Sequence, residues 1–208
     1  MRLFHLSDLH IGKRVNEFSM IEDQKYILER ILDLAEKEMP DGVILAGDIY
    51  DKQIPSAEAV QVFDEFITKL AERKFPVFVI SGNHDSAERL AFGGRLLNSR
   101  GIYLSPVYDG TVMKIPIADQ YGTVWIHLLP FIRPAAVRRV FEDESDLITD
   151  VQSAVRAVIS HMEIDPNERN ILVAHQFVTG ASRCESEDIQ VGGLDNIDAS
   201  VFEAFDYT

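Results

Sequence analysis

The chain has 208 residues, 46% hydrophobic and 26% charged, which are ordinary values for a globular protein of one large domain or one and a half. Its formal net charge of −14 excludes a generic nucleic-acid binder, so an anionic substrate would have to be met by bound metal or a local basic patch. Cys184 is the only cysteine, which excludes an intramolecular disulfide and suits a reducing compartment. No run approaches the roughly 18 apolar residues of a membrane span, and the start lacks a signal peptide's apolar stretch, so a soluble cytoplasmic protein is expected.

In chain order, an apolar run at residues 2–6 reads as a strand and leads into Asp8-Leu9-His10. Ser19 followed by Glu22 predicts a capping box, and Ile27, Ile31 and Leu34 predict a helix that ends by Pro40. A strand at Gly42–Ala46 runs into Gly47-Asp48. Ser56 is the expected N-cap of a helix carrying Val60, Phe63, Ile67 and Leu70. A strand at 76–80 ends at Gly82-Asn83-His84-Asp85, and a third helix is expected over about 87–98. This repeated β-loop-α order predicts a sheet covered by helices, with ligand loops at the strand carboxyl ends. Residues 101–131 read as three or four short strands broken by Gly110, Pro116 and Gly122. A helix over about 146–162 is followed by a strand at 170–173 that delivers Ala174-His175. Residues 179–196, with Gly192-Gly193, read as a polar surface loop, and the apolar run begun at Val201 has no closing element, as in a fragment. The expected class is mixed α/β.

Four polar clusters, each after an apolar strand, carry the chemistry. Asp8 and His10, two residues apart at a strand end, are expected to face the same side. Asp48 has two oxygens with which to bridge cations, Asn83 offers a neutral carbonyl oxygen and His175 a nitrogen. Such a mixed donor set favours Mn²⁺, Fe²⁺ or Zn²⁺ over Ca²⁺, and the absence of a thiolate argues against structural zinc. Two ions about 3.5–4 Å apart can activate a water and hold a phosphate by its non-bridging oxygens. His84 is placed to reach the phosphate or protonate the leaving oxygen, with Asp85 orienting its ring. Singly, an Asp-x-His pair is more often a loop contact, Gly47-Asp48 a turn and His175 a core residue. It is the four together that argue for a metal site. His5 and His127 read as packing or hydrogen-bonding strand residues, and His161 as a helix-end contact with the dipole. Asp51 either orients a ligand or meets substrate, or serves a turn. Met20, Phe63 and Phe66 are expected in the core or an interface.

In order and spacing these motifs resemble those of the calcineurin-like metallophosphoesterases. The stretches Phe4-His5-Leu6-Ser7-Asp8-Leu9-His10-Ile11-Gly12, Gly47-Asp48-Ile49-Tyr50-Asp51 and Val191-Gly192-Gly193-Leu194-Asp195 are closer still to the SbcD branch, the nuclease subunits of bacterial SbcCD complexes. The resemblance spans essentially the whole chain. It implies a four-layer α/β/β/α sandwich, C-terminally truncated, forming one incomplete nuclease domain over 1–208 without its cap domain. It implies two Mn²⁺ ions, one held by Asp8, His10 and Asp48 and the other by Asp48, Asn83 and His175. His84 is then the catalytic histidine, with Asp85 beside it. The implied function is cleavage of DNA ends and hairpins in repair, recombination and replication, with the SMC-like ATPase SbcC as partner. A homodimer through helices beside the site is also implied, here at 56–73 and 87–98. The family's Gly-His-x-His motif would follow Asp206-Tyr207-Thr208, so each metal lacks one expected histidine, and weakened metal binding with little or no nuclease activity is expected. Lys13, Arg14, Arg89 and Arg133 are expected to meet phosphates, and Arg138-Arg139 to be a solvated helix end. A phosphodiesterase or phosphatase on other substrates, or a non-catalytic scaffold, would share the clusters. The loop after Asp8 and residues 191–195 favour the nuclease.

Overall fold

Near-continuous apolar runs in the first half of the chain become parallel strands, of which two are wholly buried. The computed structural model describes residues 1–179 and 196–208. After β1 (Leu3–Leu6) a hairpin of β2 (Arg14–Val15) and β3 (Phe18–Ser19) turns through Asn16 and Glu17, both left-handed as a two-residue hairpin turn requires. Next come α1 (Ile21–Glu38), β4 (Gly42–Ala46), α2 (Ala57–Glu72), β5 (Val77–Ile80), the single turns α3 (Ala87–Leu90) and α4 (Gly94–Leu97), and β6 (Ile102–Leu104). The second half holds β7 (Met113–Asp119), β8 (Gly122–Leu128), α5 (Pro134–Val140), α6 (Val151–Ser160), β9 (Arg169–Val173), β10 (Val178–Thr179) and β11 (Ile197–Asp198).

Two compact units result: Met1–Val107 with Val173–His175, and Tyr108–Leu172 with Gln176–Thr208. In the first, β1-β4-β5-β6 form a parallel sheet in that order. Every residue of β4 and β5 is buried, and α1 and α2 add Leu28, Leu32, Ala35, Val62, Phe63, Phe66 and Leu70 to the same core. In the second, β7 and β8 pair antiparallel from Met113↔Leu128 to Asp119↔Gly122, and β9 completes a three-stranded sheet. The class is α/β, with a sheet and helices in each unit.

Several elements depart from the sequence reading. The N-cap of α1 is Met20, without a side-chain cap; Ser19 belongs to β3, and Glu22 pairs with Lys25, so the expected capping box does not form. On α1 the buried stripe is Ile21, Leu28, Leu32 and Ala35, whereas Ile27 and Leu34 are 52% and 48% exposed. The expected helix over 87–98 is broken at Gly93, which takes φ 75°, and the break leaves Phe92 and Leu96 exposed. Pro116 does not interrupt β7, because β7 lies at the edge of its sheet and an edge strand tolerates a missing donor. The helix expected from 146 begins at Val151, where Asp150 and Ser153 form a reciprocal capping box, and α5 carries in its last turn the Arg138-Arg139 pair expected at a helix end. Residues 191–195 and Cys184 lie outside the described residues.

Candidate metal centre

The loop after β1 runs beside the loop after β4 and continues their parallel pairing. The N–H groups of Asp8, His10 and Ile11 donate to the carbonyls of Gly47, Asp48 and Ile49, at 3.2, 2.9 and 2.9 Å. Asp8, His10 and Asp48 are left-handed at φ 56°, 43° and 49°. For a residue other than glycine this costs about 1–2 kcal/mol each. The expectation that Asp8 and His10 face one side as strand neighbours is therefore corrected. Both lie beyond β1, and it is the twisted loop that places His10 Nε2 3.7 Å from Asp8 Oδ1 and 3.7 Å from Asp48 Oδ2.

Asp48, 3% exposed, is the hub. Its Oδ1 accepts the His84 N–H at 2.9 Å, while Oδ2 lies 3.5 Å from His175 Nε2 and 4.0 Å from His84 Nε2. His175 donates from Nδ1 to the Ala46 carbonyl at 2.7 Å, which leaves Nε2 for the site, 3.2 Å from Asn83 Oδ1. His84 uses Nδ1 on the Asp51 carbonyl at 3.1 Å, and its ring meets that of His10 edge-on at 4.8 Å. Asp51 thus orients a histidine through its backbone, and its carboxylate stands 3.9 Å from His10 Nδ1.

Asp85 does not orient the His84 ring, and that expectation is corrected. Its buried carboxylate instead accepts the N–H groups of Gly82 (2.8 Å), Tyr50 (2.9 Å) and Ile49 (3.1 Å), tying the loop after β5 to the loop after β4. Burial lifts its carboxyl above the ordinary range in spite of these donors.

The carboxylates and imidazoles of the site shift one another's titration. The neighbouring His10 imidazole outweighs burial and, with Ser7, holds Asp8 down at about 2. Asp8 in turn lifts His10 above the ordinary histidine value. Burial would lower His175, but the hydrogen bond and charge of Asp48 hold it up. Burial likewise opposes ionisation of Asp48, but His175 and the His84 N–H keep it below the usual carboxylate range. Two groups that could hold a metal ion share this residue, His10 with Asp48 and His84, and Asp8 with Asp48 and His175, each with donor atoms within 4.8 Å of one another; they divide the side chains differently from the sets the resemblance implies, which join Asp8 to His10 and leave His84 free for catalysis. His10 Nδ1 is buried without a hydrogen-bond partner. Hard carboxylate oxygens mixed with imidazole nitrogens suit a divalent transition ion.

Residues 1–198 match the calcineurin-like phosphoesterase family. The chain belongs to that family. Among curated relatives of this phosphoesterase, the SbcD subunit of nuclease SbcCD from Staphylococcus epidermidis is 35% identical over 211 residues, covering 100% of this chain and 55% of that protein. The corresponding protein from Staphylococcus saprophyticus is 34% identical over 210 residues, covering 99% and 54%. The chain spans about half the length of these relatives. Among solved structures, TT1561 of Thermus thermophilus has a TM-score of 0.49 and 12% identity, over 90% of this chain and 73% of that one.

All seven proposed site residues of the phosphoesterase, Asp8, His10, Asp48, Asn83, His84, Asp85 and His175, fall in one unit. The glycines that make room for them are less obvious from the sequence. A Cβ on Gly47 would lie 2.6 Å from His175 Nδ1, and one on Gly82 would overlap Asp48 Oδ1 and N. Two of the remaining histidines have partners of other kinds. His127 Nε2 pairs with Asn170 Oδ1 at 3.0 Å, both buried, and His161 caps α6 with Nδ1 on the Ala157 carbonyl at 2.8 Å. His5, expected as a packing or hydrogen-bonding residue, lies exposed on β1. Arg133 is the N-cap of α5, and Arg138, in its last turn, donates to the Ile148 carbonyl at 2.6 Å.

Proposed function

We propose that the chain is the nuclease domain of an SbcD-type subunit that hydrolyses phosphodiester bonds at DNA ends and hairpins with two Mn²⁺ ions. The observation that carries this reading is the sharing of buried Asp48 by two ligand triplets, in a chain similar over its whole length to SbcD subunits. Asp8, His10, Asp48, Asn83 and His175 would hold the ions, which supply a Lewis acid for activating water and offset charge at phosphorus. The fixed carbonyls of Ala46 and Asp51 present Nε2 of His175 and of His84 toward Asp48. With Nδ1 so occupied, His84 exchanges a proton through Nε2, and its role is to protonate the leaving oxygen. Asp85 keeps the loop of Gly82–His84 in register with Asp48 and touches no substrate.

Further elements of the reading are an SbcC-type ATPase partner, a cytoplasmic site of action in DNA repair, and a homodimer using the exposed Phe92 and Leu96. Among the described residues no helix is long and apolar enough to cross a membrane. The deciding assay compares Mn²⁺-dependent hydrolysis of a linear DNA duplex, a cyclic nucleotide and bis(p-nitrophenyl) phosphate. Weak cleavage of the duplex is expected, and His84→Gln should lower kcat by a further factor of roughly 10²–10⁴ while Mn²⁺ still binds. Hydrolysis of the small diesters with the duplex untouched would replace the nuclease reading by a general phosphodiesterase.

A further inference from the structure

Gln24, in the first turn of α1, reaches back to the loop that carries Asp8 and His10. Its Oε1 accepts the Gly12 N–H at 2.9 Å, and its Nε2 donates to the Leu9 carbonyl at 3.1 Å and the His10 carbonyl at 2.8 Å. Both amide protons and the amide oxygen are used, and only this orientation of the amide satisfies all three partners. The loop needs such a hold, because Asp8, His10 and Gly12 are all left-handed, at φ 56°, 43° and 92°. The N–H groups of Asp8, His10 and Ile11 are taken by the loop after β4. Gln24 takes the complementary groups, so the peptide units around His10 are gripped from both sides.

We propose that Gln24 is a positioning residue for divalent-cation binding. By fixing the backbone from Leu9 to Gly12 it keeps the His10 imidazole within 3.7 Å of both Asp8 and Asp48. The proposal rests on the reading of Asp8, His10 and Asp48 as metal ligands. A purely structural role would change the stability of the fold and leave the cation affinity of folded protein where it was.

Two variants separate these roles. Gln24→Glu keeps the side chain's size and its bond from the Gly12 N–H but removes both donors, and Gln24→Ala removes all three bonds. Gln61→Ala, whose side chain reaches only Glu65 on the exposed face of α2, is the control. Mn²⁺ titration calorimetry on folded protein should show binding weakened by roughly 10–100-fold in both Gln24 variants and unchanged in the control. Amide exchange at Gly12 should be slow in the wild type and in Gln24→Glu, and fast in Gln24→Ala. Wild-type Mn²⁺ affinity in Gln24→Glu would overturn the proposal alone. Failure of the wild type to bind Mn²⁺ would overturn the metal-site reading first, and this proposal with it. Should Gln24→Ala not fold, Gln24→Glu carries the comparison, and fast Gly12 exchange in the wild type would contradict the grip directly.

Discussion

At Gly82 the backbone passes so close to Asp48 that any side chain would displace the carboxylate. Gly82→Ala should therefore weaken Mn²⁺ binding at both triplets and destabilise the protein by about 1–3 kcal/mol, read from metal titration and urea denaturation. Wild-type binding in Gly82→Ala would show that Asp48 can shift without loss. A second residue with an unused charge is His127, buried against Asn170 and Phe205, and burial pushes its imidazole below the ordinary histidine value of 6.5. In the unfolded chain it takes a proton as pH falls through 6.5; in the folded chain it stays neutral to lower pH. Its contribution is therefore intact above 6.5 and is lost as pH falls toward the folded pKa. Chemical denaturation at pH 7 and pH 5 should show a smaller loss of stability in His127→Gln than in the wild type. The site residues were legible because carboxylates, imidazoles and an amide follow apolar strands in order. Their left-handed torsions and the true partners of Asp85 were not, because both are set by the crossing of loops distant in sequence.

Helix α1 shows where periodicity misleads. Ile27, Ile31 and Leu34 repeat at helical spacing, but so do Leu28, Leu32 and Ala35; the latter stripe is buried in the core, and of the former Ile31 alone packs against it. Both faces are apolar enough to bid for burial, and only the sheet decides between them. Leu28→Ala should cost about 2–5 kcal/mol, whereas Ile27→Gln should stay within about 0.5 kcal/mol, as measured by equilibrium unfolding. The reverse order would mean that the exposed face is the packed one. Strands β4 and β5 were legible to within a residue because they are short, wholly buried apolar runs. The segment after β5 was not, since Gly93 at φ 75° ends one helical turn and starts another, a choice the apolar pattern does not record.

For the molecule as a whole, a net charge of −14 and an anionic substrate are compatible only if positive charge is imported to the site. Locally, His10 and His175 are raised and Asp8 and Asp48 lowered by one another's charges and hydrogen bonds. The central claim is that Asp48 joins two ion sites into one reaction centre. The direct test is the stoichiometry of Mn²⁺ bound per chain in the wild type and in Asp48→Asn, measured by titration calorimetry on folded protein. The account predicts two ions in the wild type and loss of both from this single substitution. One ion in the wild type, or two that persist in Asp48→Asn, would contradict it.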